Sequence, residues 1–96
     1  MNDVILDGKI MQDESCFHQA ISELLGFGCY YGRNLDALWD RLSTDIERPI
    51  RIIWLNSDFA KECLGEYFNK IIGVFERVKL QDVEFNWGER FDYILK

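Results

Sequence analysis

The sequence predicts an α/β layered protein built on a small, largely parallel sheet. Strand-like apolar runs lie near the start, middle and end, at Val4-Ile5-Leu6, Ile50–Leu55 and Phe91–Leu95. Between them apolar residues recur at helical spacing, which gives the order strand, helices, strand, helices, strand. The 96 residues suffice for one core and no second, so 1–96 reads as a single domain without repeats or linkers.

The elements follow in chain order. Val4-Ile5-Leu6 ends in the turn signal Asp7-Gly8. Asp13 can cap a helix whose apolar face is Phe17, Ala20, Ile21, Leu24 and Leu25, and Gly26 and Gly28 stop it. Asn34 is an N-cap for a second helix with the stripe Leu35, Leu38, Trp39 and Leu42. Asp36, Asp40 and Ser43 fall along one flank of that stripe, because each helical residue advances about 100°. Pro49 blocks further helix. Ile50–Leu55 is so continuously apolar that a strand covered on both faces is expected. Ser57 and Asp58 open a short helix that fades near Gly65. Phe68, Ile71, Ile72, Phe75 and Val78 mark a longer, well-buried one. At the C-terminus Val83-Glu84-Phe85-Asn86-Trp87 alternates, Gly88 breaks, and 91–95 resumes. Either run could close the sheet, or the two could pair as an extra hairpin.

Composition excludes several classes. A hydrophobic share of 48% with one Pro and seven Gly excludes collagenous and disordered chains. Seventeen acids against eleven bases leave a net charge of −6. That balance repels nucleic acid and anionic membrane and favours a basic protein partner. Residues 1–15 lack a basic and a long apolar region, so no secretory signal is predicted, and no run is long enough to span a membrane. Cys16, Cys29 and Cys63 are odd in number and form no CxxC pair, which predicts reduced thiols and a cytoplasmic protein.

The stretch 28–47 carries most of the functional signal. Two tyrosines precede a helix N-terminus, and Asp36 and Asp40 stand at i and i+4 on one face. Like charges at that spacing cost a few tenths of a kcal/mol in an isolated helix. A solvated helix face explains such a pair as well as a binding site does. His18, the single histidine, reads as structural, since no nucleophile accompanies it. The glycines at 26, 28 and 32 follow a helix, unlike a dinucleotide fingerprint, and no GK[ST] occurs. Asp36 and Asp40 have no further ligands nearby, so neither a metal nor a cofactor is expected. No residues read as catalytic, and the chain is not expected to be an enzyme.

The run Tyr30-Tyr31-Gly32-x-Asn34-Leu35-Asp36-Ala37-Leu38-Trp39-Asp40-x-Leu42 resembles the signature of the barstar family. The wider order is also similar over roughly residues 3 to 80, including Phe17-His18-Gln19, Pro49 before the apolar strand, and Val74-Phe75. The resemblance implies a three-stranded parallel sheet packed by about four helices. It further implies an intracellular inhibitor of a ribonuclease or nuclease toxin, acting in immunity or self-protection. The second helix and its preceding loop would plug the nuclease active site. Tyr30, Asn34, Leu35, Asp36, Trp39 and Asp40 are carried onto that face, and the residue matching Asp40 enters the subsite that normally holds a substrate phosphate. Physical chemistry agrees: a carboxylate pair on a rigid helix can mimic phosphate charge before Lys and Arg side chains.

Ser43 and Asn34 are expected to hydrogen-bond at the rim. Thr44, Asp45, Glu47 and Glu76 complete the expected partner-binding set. The sequence departs from the family prototype at three places. Ser43-Thr44-Asp45 replaces Thr-Gly-Trp, Arg33 replaces an acid, and Arg77 replaces a glutamate that contacts the ribonuclease. These changes argue for a different cognate nuclease, bound by a monomer in a 1:1 complex. The alternative is a regulatory module that binds another basic protein through the same acidic helix.

Overall fold

Three strands lie side by side in chain order and all run parallel: β1 (Asn2–Asp7), β2 (Ile50–Leu55) and β3 (Phe91–Leu95). The computed structural model describes residues 2–85 and 88–96, the side chains of Asn2 and Asp45 excepted. Parallel neighbours need long crossovers, so each connection carries helices. The first holds a 3-10 turn (Gly8–Ile10), α1 (Glu14–Leu25) and α2 (Leu35–Asp40), which continues into a wider π-helical turn at Arg41–Asp45. The second holds α3 (Ser57–Leu64) and α4 (Glu66–Glu84).

One sheet face carries the core. Leu6, Ile50, Ile52, Trp54 and Phe91 are each at most 7% exposed there. Trp54 stacks on Phe17 of α1 at 5.5 Å between ring centroids and meets Phe68 of α4 at 5.0 Å. The expectation that β2 is covered on both faces is corrected: Arg51, Ile53 and Leu55 are only half-buried. The reason is topological. Strands in chain order, joined by right-handed crossovers, place both helical connections on the same side. On the open side Ile5, Ile53 and Ile94 lie in register, and Ile5 is 48% exposed. A neighbouring row, Asp3, Arg51 and Asp92, keeps this face wettable. Within it Arg51 pairs with Asp3 at 2.8 Å, while Lys79 reaches Asp92 at 3.1 Å.

Among the described residues no C-terminal hairpin forms. Val83 and Glu84 belong to the last turn of α4, Phe85 caps it, and Phe91–Leu95 alone closes the sheet. Asn86 and Trp87 lie outside the described residues. A buried ion pair fixes this corner. Arg48 Nε donates to Asp82 Oδ2 at 2.7 Å, and the same oxygen accepts the Phe91 N–H at 2.8 Å. Tyr93 N–H donates to Asp92 Oδ1, so two amides of edge strand β3 are bonded to carboxylates and not open to another strand. At the far end Gly8 passes so close to Asn56 that a Cβ there would overlap the Asn56 carbonyl oxygen.

Candidate protein interface

The face is built from a loop and a short helix. Gly26, at φ 67°, ends α1 in the left-handed cap conformation that glycine adopts without a Cβ clash. The loop then drops two rings inward: Phe27 and Tyr31 are both 5% exposed, with centroids 4.8 Å apart. Tyr31 is held by His18, whose Nδ1 lies 2.7 Å from the Tyr31 hydroxyl. Tyr30 points the other way and is 91% exposed. Arg33, also exposed, sits at φ 55°, an uncommon conformation for a residue with a Cβ.

Asn34 caps α2 through Oδ1, which accepts the Ala37 N–H at 2.7 Å, while its Nδ2 donates to Gly32 O at 3.4 Å. The cap engages one lone pair of Oδ1 and one hydrogen of Nδ2, and Asn34 stays exposed. Leu38 and Leu42 are fully buried, and Leu35 and Trp39 are half-buried. Asp36 and Asp40 project from the opposite side, exposed and without an ion pair among the described residues.

The structure moves Ser43 off the predicted flank. Regular helix would have set it beside Asp36 and Asp40, but the wider π turn carries it inward, to 6% exposure. Its Oγ donates to Asp40 O at 3.3 Å, and Thr44 Oγ1 donates to the same carbonyl at 2.6 Å. Ser43 therefore stabilises the turn and offers little surface. Thr44 and Glu47 are exposed beyond α2, and the side chain of Asp45 lies outside the described residues. Glu76 is exposed, with its Oε1 accepting from the Tyr93 hydroxyl at 2.5 Å. Its successor Arg77 turns toward α2, where its guanidinium lies over the Trp39 ring, 4.4 Å from the centroid. Trp39 of α2 is thereby joined to a cation from α4.

No group of three or more His, Cys, Asp or Glu side chains that could hold a metal ion occurs among the described residues. No helix there is long and apolar enough to cross a membrane.

The loop thus turns one tyrosine outward and leads into a capped helix with paired exposed carboxylates. Comparison of the whole sequence decides the matter: the family described as Barstar (barnase inhibitor) matches residues 1–93. The chain belongs to the barstar family. A Bacillus subtilis (strain 168) protein named "Putative ribonuclease inhibitor YrdF" is 33% identical over 79 residues, covering 82% of this chain and 87% of that protein. Barstar-family membership makes the chain one of a ribonuclease-inhibitor family, with a ribonuclease as the kind of partner that family implies.

Two features of this barstar-family chain escape motif reading. Tyr67 of α4 gives His18 a second hydroxyl partner, 2.6 Å from Nε2. The Arg48–Asp82 pair is tied to the π turn, since Arg48 Nη2 also donates to Leu42 O at 2.9 Å. Asp82 did leave a trace: it continues the apolar spacing of Phe75 and Val78, and an acid on a buried stripe signals a buried partner.

Proposed function

We propose that this protein is an intracellular inhibitor of a ribonuclease, serving immunity or self-protection. It blocks the nuclease active site with loop 26–34 and α2. Asp40 and Asp36 pair with the cations that otherwise hold substrate phosphate, and Tyr30 and Trp39 supply aromatic contact. Inhibition is by occlusion, so no cofactor, metal or catalytic residue takes part. A monomer binds its nuclease 1:1.

One observation carries this reading. Asp36 and Asp40 are exposed and lack ion pairs among the described residues, on a helix whose other side is anchored by the fully buried Leu38 and Leu42. Rigid presentation of like charges costs stability and is repaid by a cationic partner. Arg77, stacked on Trp39, and Arg33, exposed in the loop before α2, support a partner with mixed charge and a target other than the family prototype's.

The test is capture of partners by the immobilised protein at low salt, elution with salt, and assay of the eluate for RNA cleavage. A basic ribonuclease that is silenced by adding the free protein is the expected result. Recovery of basic proteins without nuclease activity would contradict the reading and favour a regulatory module.

A further inference from the structure

Asp40 is the last residue of α2, and the π turn begins at the next residue. The direction of its exposed carboxylate therefore depends on how that turn is held. A helix leaves its last four carbonyls without partners inside the helix. In the turn Arg41–Asp45 these are the carbonyls of 42–45. Two of them are met by side chains from outside. Arg48 Nη2 donates to Leu42 O at 2.9 Å, and Gln81 Nε2 of α4 donates to Ser43 O at 3.2 Å. Arg48 Nη1 also reaches Ile46 O, just past the turn, at 3.4 Å.

Both donors are themselves anchored. Arg48 Nε donates at 2.7 Å to the buried Asp82 carboxylate, which also receives the Phe91 amide of β3. Gln81 is half-buried and stands four residues after Arg77, whose guanidinium lies over Trp39. Residues at that spacing share a helix face, so one flank of α4 meets α2 at Trp39 and its turn at Ser43.

We propose that Gln81 and Arg48 are positioning residues of the binding face, which aim the Asp40 carboxylate by fixing the carbonyls of the π turn. The functional part of this inference rests on the reading of α2 as a binding element. A shift of the turn is passed straight to residue 40, because Ser43 Oγ and Thr44 Oγ1 both donate to Asp40 O. Charge-assisted pairing of a carboxylate with a guanidinium is directional, so a carboxylate turned away loses part of its grip. The fork of Arg48 is needed for the hold, since it spans Asp82 and Leu42 together, whereas a lysine ammonium is a single point.

Two variants test the hold. Gln81→Met keeps the length of the side chain and removes its donor. Arg48→Lys keeps the charge beside Asp82 and removes the fork. In the free chain, amide hydrogen exchange at 41–46 should be at least about tenfold faster in each variant. The amides of β2 and the urea midpoint of Gln81→Met should match the parent's. With the captured ribonuclease, dissociation should be at least about tenfold faster and association within about twofold of the parent's. In an Asp40→Ala chain, Gln81→Met should change dissociation by less than about twofold, because the group it aims is gone.

Exchange at 41–46 that stays at the parent's rate in Gln81→Met would overturn the proposal. So would faster exchange spread evenly over the sheet, unchanged dissociation, or a Gln81→Met effect as large in the Asp40→Ala chain as in the parent. The exchange readout needs no ribonuclease. Faster exchange confined to 41–46, in a chain that captures no ribonuclease, would uphold the hold on the turn and overturn only the functional reading.

Discussion

Asn34 shows how one side chain ties sequence to site. Its carboxamide caps α2, so Asn34→Ala should cost about 1 kcal/mol of stability, read by urea unfolding at neutral pH. Asp82 has a larger role. Asp82→Ala leaves the Arg48 guanidinium, whose side chain is 9% exposed, without its buried partner and removes the acceptor of the Phe91 amide. A loss of about 3–5 kcal/mol is expected, seen as a melting temperature lower by more than 10 °C. The two residues were unequally legible. A cap is a local pattern, because Asn34 acts on a residue three positions away. Asp82 acts across 34 residues, and only its intrusion into an apolar stripe betrayed it. The inward turn of Ser43 could not be read at all. Regular helical phase places it outside, and nothing local in the sequence marks the π turn that rotates it.

α2 has six residues, too few to hold a helix in water, so its order comes from what it packs on. Leu38 lies fully buried at its centre. Leu38→Ala should cost about 2–5 kcal/mol in chemical unfolding. The effect on binding should follow from lost order of α2 and not from lost contact. Arg77→Ala removes a cation stacked on Trp39 at 4.4 Å, and should cost at most about 1 kcal/mol while changing the Trp39 environment. At the C-terminal end of the chain, two short runs had equal claim to the last strand. α4 settles the choice by continuing through Glu84, which uses Val83 as helix and leaves only Phe91–Leu95 to pair with β2. Likewise, an apolar central strand looked doubly covered because residue type does not report which side the crossovers take. Strand order does report it.

The pH response of the folded chain follows from where its ionisable groups sit. The His18 pKa is depressed, first by burial and then by Arg33, so the neutral ring favours folding. That contribution is complete above about pH 6.5 and is lost as pH falls below it, because the unfolded chain takes up the proton first. Asp3, held down by Arg51, and Asp13, held down by the Cys16 amide, add a second loss below about pH 4. Burial raises Tyr31 and Tyr93, so stability should also fall once unfolded tyrosines ionise above about pH 10. Urea midpoints at pH 7.5, 5.5, 3.5 and 10.5 should therefore be highest at 7.5, with the step between 7.5 and 5.5 reduced by His18→Gln.

The net charge of −6 adds a long-range pull toward a basic partner, so the association rate should fall steeply as salt rises. What the charge does at contact depends on α2. The most direct measurement is titration of the captured ribonuclease with the parent chain and with Asp40→Ala, reading RNA cleavage and affinity together. The parent should silence the enzyme at one equivalent. The variant should bind at least about 2 kcal/mol more weakly while unfolding at the same temperature. A variant that binds within about 1 kcal/mol of the parent, or a parent that leaves cleavage untouched, would contradict the account.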